Sequence, residues 1–259
     1  VSNGRPVPVI IDCDTGVDDA LALLFAVRHP GIDLRAVTCV AGNTDVDGVV
    51  RNTLTVLERA GGPDVPVARG AERPLIEAPR SARHVHGDDG MGDLGLPAPS
   101  RVPADVDAVT LLRREILASP RPVTLVPTAP LTNIALLLRT HPEVTRNIAR
   151  IVFMGGAAAV GNATPVAEFN VWHDPEAAAI MLTAGCRSPC TGWTCSPGSS
   201  SPGPTCGGCA PVPNPGRGWP VTCSRTAPPT RAAARTTRPR TPAASGTRAR
   251  CARWPTPRG

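Results

Sequence analysis

Residues 10–23 read IIDCDTGVDDALAL. The apolar, β-branched run Val7–Ile11 that leads into this stretch predicts a buried strand ending at Asp12. Asp18 to His29, DDALALLFAVRH, predicts a helix that stops before Pro30. Between strand and helix stands a turn with Gly16, so Asp12, Asp14, Asp18 and Asp19 crowd one strand end, one turn and one helix start. Carboxylates this close repel one another unless protons or a cation compensate them. Hard oxygen donors suit calcium or magnesium. The plainer explanation, that Asp18 and Asp19 merely favour a helix N-terminus, leaves Asp12 and Asp14 without a reason.

Outward from this stretch, strands and helices alternate. Leu34–Val40 predicts a second strand and Val46–Ala60 a second helix closed by Gly61-Gly62, with Val65–Ala68 a short third strand. Further on, Val106–Ala118 is helical in pattern, Val123–Val126 extended, Leu131–Leu138 helical, Ile151–Met154 extended and Pro175–Ala184 helical. Such alternation predicts an α/β fold, an open and mostly parallel sheet of Rossmann-like type with helices on both faces. Ligands of such sheets bind beyond the carboxyl ends of the strands, and the polar motifs of this chain all follow predicted strands. Residues 69–100, rich in Gly, Pro, His and Asp, predict a long functional loop.

Four further segments give the pattern a family. CVAGN (39–43), HVHGDDGMGDLG (84–95), VPTAPLTNIA (126–135) and MGGAAAVGNATPVAEFN (154–170) follow the first stretch in order. Over roughly residues 7–185 the chain resembles the inosine–uridine preferring nucleoside hydrolases, a family of N-ribohydrolases. The resemblance implies hydrolysis of ribosylpurines or ribosylpyrimidines to ribose and free base, with Ca2+ as cofactor and a calcium-bound water as nucleophile. It implies Asp14, Asp19 and the Thr128 carbonyl as calcium ligands, and Asp14 also as the base that takes the water's proton. Asp18, Asn43 and Asn170 match residues that hold the ribose 2′- and 3′-hydroxyls, Asn162 and Glu168 match contacts near the 5′-hydroxyl, and Met154 lines the sugar pocket. Asp12 orders the loop rather than binding metal. His84 and His86 are candidates for contact with the base or for protonating it as it leaves. The chemistry explains the donors: breaking an N-ribosidic bond builds oxocarbenium character on the sugar, which anionic and amide oxygens stabilise.

Other patterns carry less. His173-Asp174 looks like a catalytic pair, but Asp174 precedes Pro175 and reads as the cap of the next helix. Cys206-Gly-Gly-Cys209 has zinc-like spacing but no second pair and no His in the tail. Gly155-Gly156 is too short for a phosphate loop. Asp12 and Asp14 also fit the DxDxT-type motif of haloacid-dehalogenase-like phosphatases, yet Gly16 stands where that motif wants Thr or Val, and Asp18-Asp19 would go unexplained.

Composition divides the chain into residues 1–185 and a tail, 186–259. The tail holds seven of the nine Cys, 14 of the 31 Pro and 11 of the 27 basic residues, all Arg, but none of the 21 acids and no Ile, Leu, Met or Phe. Such a segment buries too little apolar surface to offset its ordering entropy. We expect it to be disordered or a frameshift product: read one nucleotide out of step with suitable synonymous codons, AGCRSPCTGWTCSPGSSSPGPTCGGCA gives AGVPVPVHGLDVFTRVVVARADVRRLR. The resemblance implies a further Asp ligand and a neighbouring His in the C-terminal half; no Asp or His follows Gly185, so impaired activity is expected of this chain. The sequence pI of about 9.1 belongs to the tail. A basic tail gripping nucleic acid is the remaining alternative, but only Trp193, Trp219 and Trp254 interleave its Arg, so nucleic acid is not the expected partner. A ribonucleoside is the expected partner, with a homo-oligomer implied by the resemblance for the intact fold. No run of 18 apolar residues predicts a membrane span, the opening VSNGRPVPVIID does not read as a signal peptide, and only Cys13 and Cys39 precede the tail, which fits the reducing cytoplasm.

Overall fold

The computed structural model describes residues 5–188 and the strand Cys190–Thr191. The remainder of the Pro-, Arg- and Cys-rich segment, with Cys206-Gly-Gly-Cys209 and the out-of-frame reading, lies outside the described residues.

The first strand, β1 (Val7–Cys13), runs two residues further than its apolar core and so carries Asp12 within it. Its alternating side chains serve two layers: Val9, Ile11 and Cys13 enter one core and Ile10 the other. Helix α1 (Val17–Arg28) begins where the Gly16 N–H donates to Asp19 Oδ2 at 3.0 Å, and ends at His29 before Pro30. Strand β2 (Ile32–Cys39) is followed by α2 (Val46–Ala60), capped by the Asp45 carboxylate on Gly48 N and closed by Gly61 at φ 61°. That left-handed turn suits glycine, which has no Cβ to clash. Strand β3 (Val67–Arg69) is three residues long. The long loop after it contains one short helix, α3 (Arg83–His86). Then come α4 (Ala108–Ala118), β4 (Val123–Pro127), α5 (Thr132–Thr140) and a 3-10 turn, Pro142–Asn147.

The single strand expected over Ile151–Met154 is two: β5 (Ile148–Ile151) pairs with β4, and β6 (Phe153–Met154) pairs with β7 (Cys190–Thr191). The apolar run is continuous, but its hydrogen-bonding partners change between Ile151 and Phe153. Helix α6 (Phe169–His173) leads into α7 (Pro175–Thr183).

The main sheet has the order β3-β2-β1-β4-β5, and all its described pairings are parallel. Residues of α1 and α2 pack into the core on one face, and those of α4, α5 and α7 into the core on the other. This is the expected α/β class, a mostly parallel sheet covered on both faces. Strand order reverses direction between β1 and β4, so the chain leaves a crevice beyond their carboxyl ends. Asp12 sits at that point, in register with Thr38 of β2 and Pro127 of β4. Packed structure continues past Gly185: Cys186 lies against the second core. Among the described residues no helix is long and apolar enough to cross a membrane.

Candidate active site

The crevice is floored by carboxylates. Asp12, Asp14 and Asp19 are all at least 96 % buried, with relative exposures of 1, 2 and 4 %. Asp12 is held by one oxygen: its Oδ1 accepts from Thr38 Oγ1 at 2.6 Å and from Asn133 Nδ2 at 2.8 Å. Its Oδ2 is buried without a partner among the described residues. Asp14 Oδ2 accepts from the Asn43 N–H at 2.8 Å, and the Asn43 amide donates to the Asp14 carbonyl and to Asp19 Oδ2 at 3.2 and 3.4 Å. Asp19 Oδ1 accepts from Thr128 Oγ1 at 2.6 Å. Loops after β1, β2 and β4 are thereby drawn onto one point. Gly42 is required there, because a Cβ at that position would overlap the Asp14 carboxylate.

No Arg or His forms an ion pair with any of these three acids among the described residues. Burial therefore pushes their protons on. It raises the Asp12 carboxyl to about 7 against its two hydrogen bonds, and Asp19 to about 6 with the charge of Asp18 adding to the effect. Asp14 is held well above the usual carboxylate range by burial and then by the charge of Asp19. Asp14 and Asp19, buried side by side with no basic partner among the described residues, are hard oxygen donors that suit a divalent cation. With the Thr128 carbonyl, they are the oxygens that would hold one. They fill only part of a shell: among the described residues no three His, Cys, Asp or Glu side chains group as a metal site.

The remaining expected residues fall into two sets. Asn170, buried on α6, donates from Nδ2 to the Thr128 carbonyl at 2.9 Å and to the Met154 carbonyl and sulfur at 3.1 and 3.3 Å. It thus joins Met154 to the carboxylate cluster. Glu168 is 2 % exposed and caps α6: Oε1 accepts from Asn170 N, and Oε2 from Gly156 N and Val171 N. Burial raises its carboxyl. Asn162 is exposed and accepts from the Phe169 N–H at 2.7 Å. Asp18 is exposed at the start of α1, beside Asp19 in sequence. Of the two loop histidines, His86 packs against the turn, since a Cβ on Gly16 would lie 2.8 Å from its Nδ1. His84 is exposed and has no described contact with this cluster.

Asp174 caps α7 through Ala177 N at 3.0 Å, and also accepts from Thr132 Oγ1 and Leu75 N. His173 is buried, with both ring nitrogens unpartnered among the described residues, and burial lowers its pKa to about 4. The two do not form a charge pair facing the carboxylates. Sequence reasoning does not single out Asn133 and Thr38, which hold Asp12. Thr38 is a lone polar residue in an apolar stretch, a sign of a buried partner, whereas Asn133 follows Thr132 and carries no such mark.

Fold and site together define an α/β protein with a cluster of buried acids at the reversal point of a parallel sheet. The chain belongs to the inosine-uridine preferring nucleoside hydrolase family, whose model matches residues 9–203. It is 52 % identical over 178 residues to the pyrimidine-specific ribonucleoside hydrolase RihA of a Shewanella species, covering 69 % of this chain and 56 % of that one. It is 49 % identical over 179 residues to RihA of Citrobacter koseri, covering 69 and 57 %. Among solved structures it is similar to a purine-preferring ribonucleoside hydrolase from Gardnerella vaginalis, with TM-score 0.69, 34 % identity and 72 and 61 % of the two chains covered. A plant nucleoside hydrolase matches with TM-score 0.70, 37 % identity and 73 and 60 % coverage. The chain thus spans little more than half the length of the curated relatives it matches.

Proposed function

We propose that this chain is a ribonucleoside N-hydrolase core that cleaves the bond between C1′ of ribose and a nucleobase, releasing ribose and free base in the cytoplasm. The observation that carries this reading is the buried trio Asp12, Asp14 and Asp19, without an ion-pair partner among the described residues, at the carboxyl end of β1 and the start of α1, where β1 lies between β2 and β4. Calcium, held by Asp14, Asp19 and the Thr128 carbonyl, would supply positive charge that acidifies a water molecule and anchors the sugar.

Asp14 takes the water's proton, its carboxylate lying beside Asp19 and the Asn43 loop where that water would sit. The hydroxyl oxygen joins C1′ as the C1′–N bond breaks, and the base leaves with the bonding electrons and gains a proton. Asp18 and Asn43 hold the 2′- and 3′-hydroxyls together with Asn170, while Met154 packs on the sugar. Glu168 and Asn162 shape the end of the pocket that receives the 5′-hydroxyl. His86, packed against Gly16, is the better placed of the two loop histidines to protonate the departing base. Pyrimidine ribonucleosides are the first substrates to try, because the relatives near 50 % identity carry that specificity in their names.

Turnover by this chain is expected to be low. Its described donors supply few of the six to eight oxygens that calcium takes. The test is to incubate the 259-residue chain with uridine, cytidine and inosine and to assay ribose, with and without a calcium chelator. Slow, chelator-sensitive release of ribose supports the reading. Release of phosphate from phosphomonoesters, with no ribose from any nucleoside, would place the chain with the phosphatases instead.

A further inference from the structure

Asn133 lies in the first turn of α5, fully buried, and uses its whole side-chain amide on three separate segments. Nδ2 donates to Asp12 Oδ1 at 2.8 Å, at the end of β1, and to the Cys39 carbonyl at 3.0 Å, the last residue of β2. Oδ1 accepts from the Ala71 N–H at 2.9 Å, in the loop that leaves β3. That loop comes close enough only because position 70 is glycine: a Cβ there would run into both amide atoms of Asn133 and into the Cys39 carbonyl. Two of the tethered segments lead straight into the site. Two residues past Asp12 comes Asp14, and four past Cys39 comes Asn43, whose backbone and amide bind Asp14 and Asp19.

We propose that Asn133 is a positioning residue for the cation site of the proposed function. It sets the spacing between the β1 loop that bears Asp14 and Asp19 and the β2 loop that bears Asn43, and it does so without touching substrate. Thr38 shares the grip on Asp12 but reaches only that one strand, whereas Asn133 ties three. A partner one layer behind metal ligands commonly changes metal affinity by about 10- to 100-fold when removed. The proposal rests on the reading of the carboxylates as a calcium site, so its test has one arm that needs no metal.

Asn147 supplies the control. Its amide also spans two backbone carbonyls, those of Ile116 and Ser119, far in sequence from the carboxylates and on none of their loops. The full chain and its Asn133→Ala, Asn133→Asp and Asn147→Ala variants are compared by amide hydrogen exchange in chelator and by calorimetric titration with calcium chloride alone. Both Asn133 variants should exchange about tenfold faster in residues 12–19, 39–44 and 70–75 while α2 and α4 keep their protection, and should bind calcium at least about tenfold more weakly. Asn147→Ala should do neither. Adding Asp12→Asn to Asn133→Asp exchanges donor for acceptor and should recover protection in residues 12–19.

Exchange that rises evenly over the sheet, or failure of both Asn133 variants to fold where Asn147→Ala folds, would make Asn133 a plain structural residue and overturn the proposal. So would local loosening with unchanged calcium affinity. A parent chain that binds no calcium would instead defeat the functional reading, while the exchange pattern still decides whether Asn133 holds the two loops.

Discussion

Asp14 is the residue on which the chemistry turns. It is buried, bound by the Asn43 N–H, and without an ion-pair partner among the described residues. Asp14→Ala removes both a ligand and the proposed base, so ribose release should fall by about 100-fold or more; a variant that keeps a tenth of parental activity would refute the assignment. Its neighbours report through stability. Asp12, Asp14, Asp19 and Glu168 have folded pKa values above their unfolded ones. Between the unfolded value near 4 and the folded values the native state binds more protons, so these groups stabilise fully below about pH 4 and lose that contribution as pH rises through the folded pKa. His173 works the other way, since its value of about 4 makes the native state gain stability as pH rises to about 6.5. In chelator, the parent should therefore lose stability relative to Asp12→Asn as pH rises from 4 to 7, by on the order of a few kcal/mol. Thermal unfolding of the pair at several pH values checks this, and a constant gap between them would show that Asp12 is not held protonated.

Elements were legible in proportion to their length and regularity. Helix α2 shows a cap, an amphipathic period and a closing glycine, and its bounds agree with those read from sequence. Strand β1 announces itself by five apolar residues before its first acid. Helices α3 and α6 have four and five residues, too few to show a period. The break between β5 and β6 leaves no mark in an unbroken apolar run, because it depends on which strand each residue meets. The site follows the same rule. Its acids are legible because four lie within eight residues of chain. Asn133 is not, because its meaning depends on Asp12, 121 residues earlier. Asp174 shows what such distant bonds are worth to an element. Its carboxylate starts α7 and also fixes Thr132 at the head of α5 and Leu75 in the long loop. Asp174→Ala loses a helix cap and strands two further donors, so it should cost about 2–4 kcal/mol, measurable as a lower urea midpoint. A change under about 0.5 kcal/mol, the size expected of an ordinary surface substitution, would mean that the three elements are held together elsewhere.

At the scale of the molecule, helix α1 leaves an apolar strip exposed. On α1, Val17, Leu21, Leu24 and Phe25 are 47, 65, 38 and 60 % exposed, and their spacing places them along one side of the helix. The opposite side of α1 delivers Ala20, Leu23 and Ala26 into the core. A contiguous apolar strip on an exposed helix favours non-specific association. Because these side chains bury little in the folded chain, replacing them removes stickiness without removing core. Leu21→Gln with Phe25→Gln should therefore raise the soluble yield and reduce light scattering at high protein concentration. The urea midpoint should move by no more than about 0.5 kcal/mol per substitution, as for surface positions generally. Asp19 is buried on the other side of the same helix start and Asp14 precedes the helix, so calcium affinity should stay within about twofold of the parent. Loss of about 2 kcal/mol or more per substitution, the scale of a buried side chain, would show instead that the strip is covered in solution.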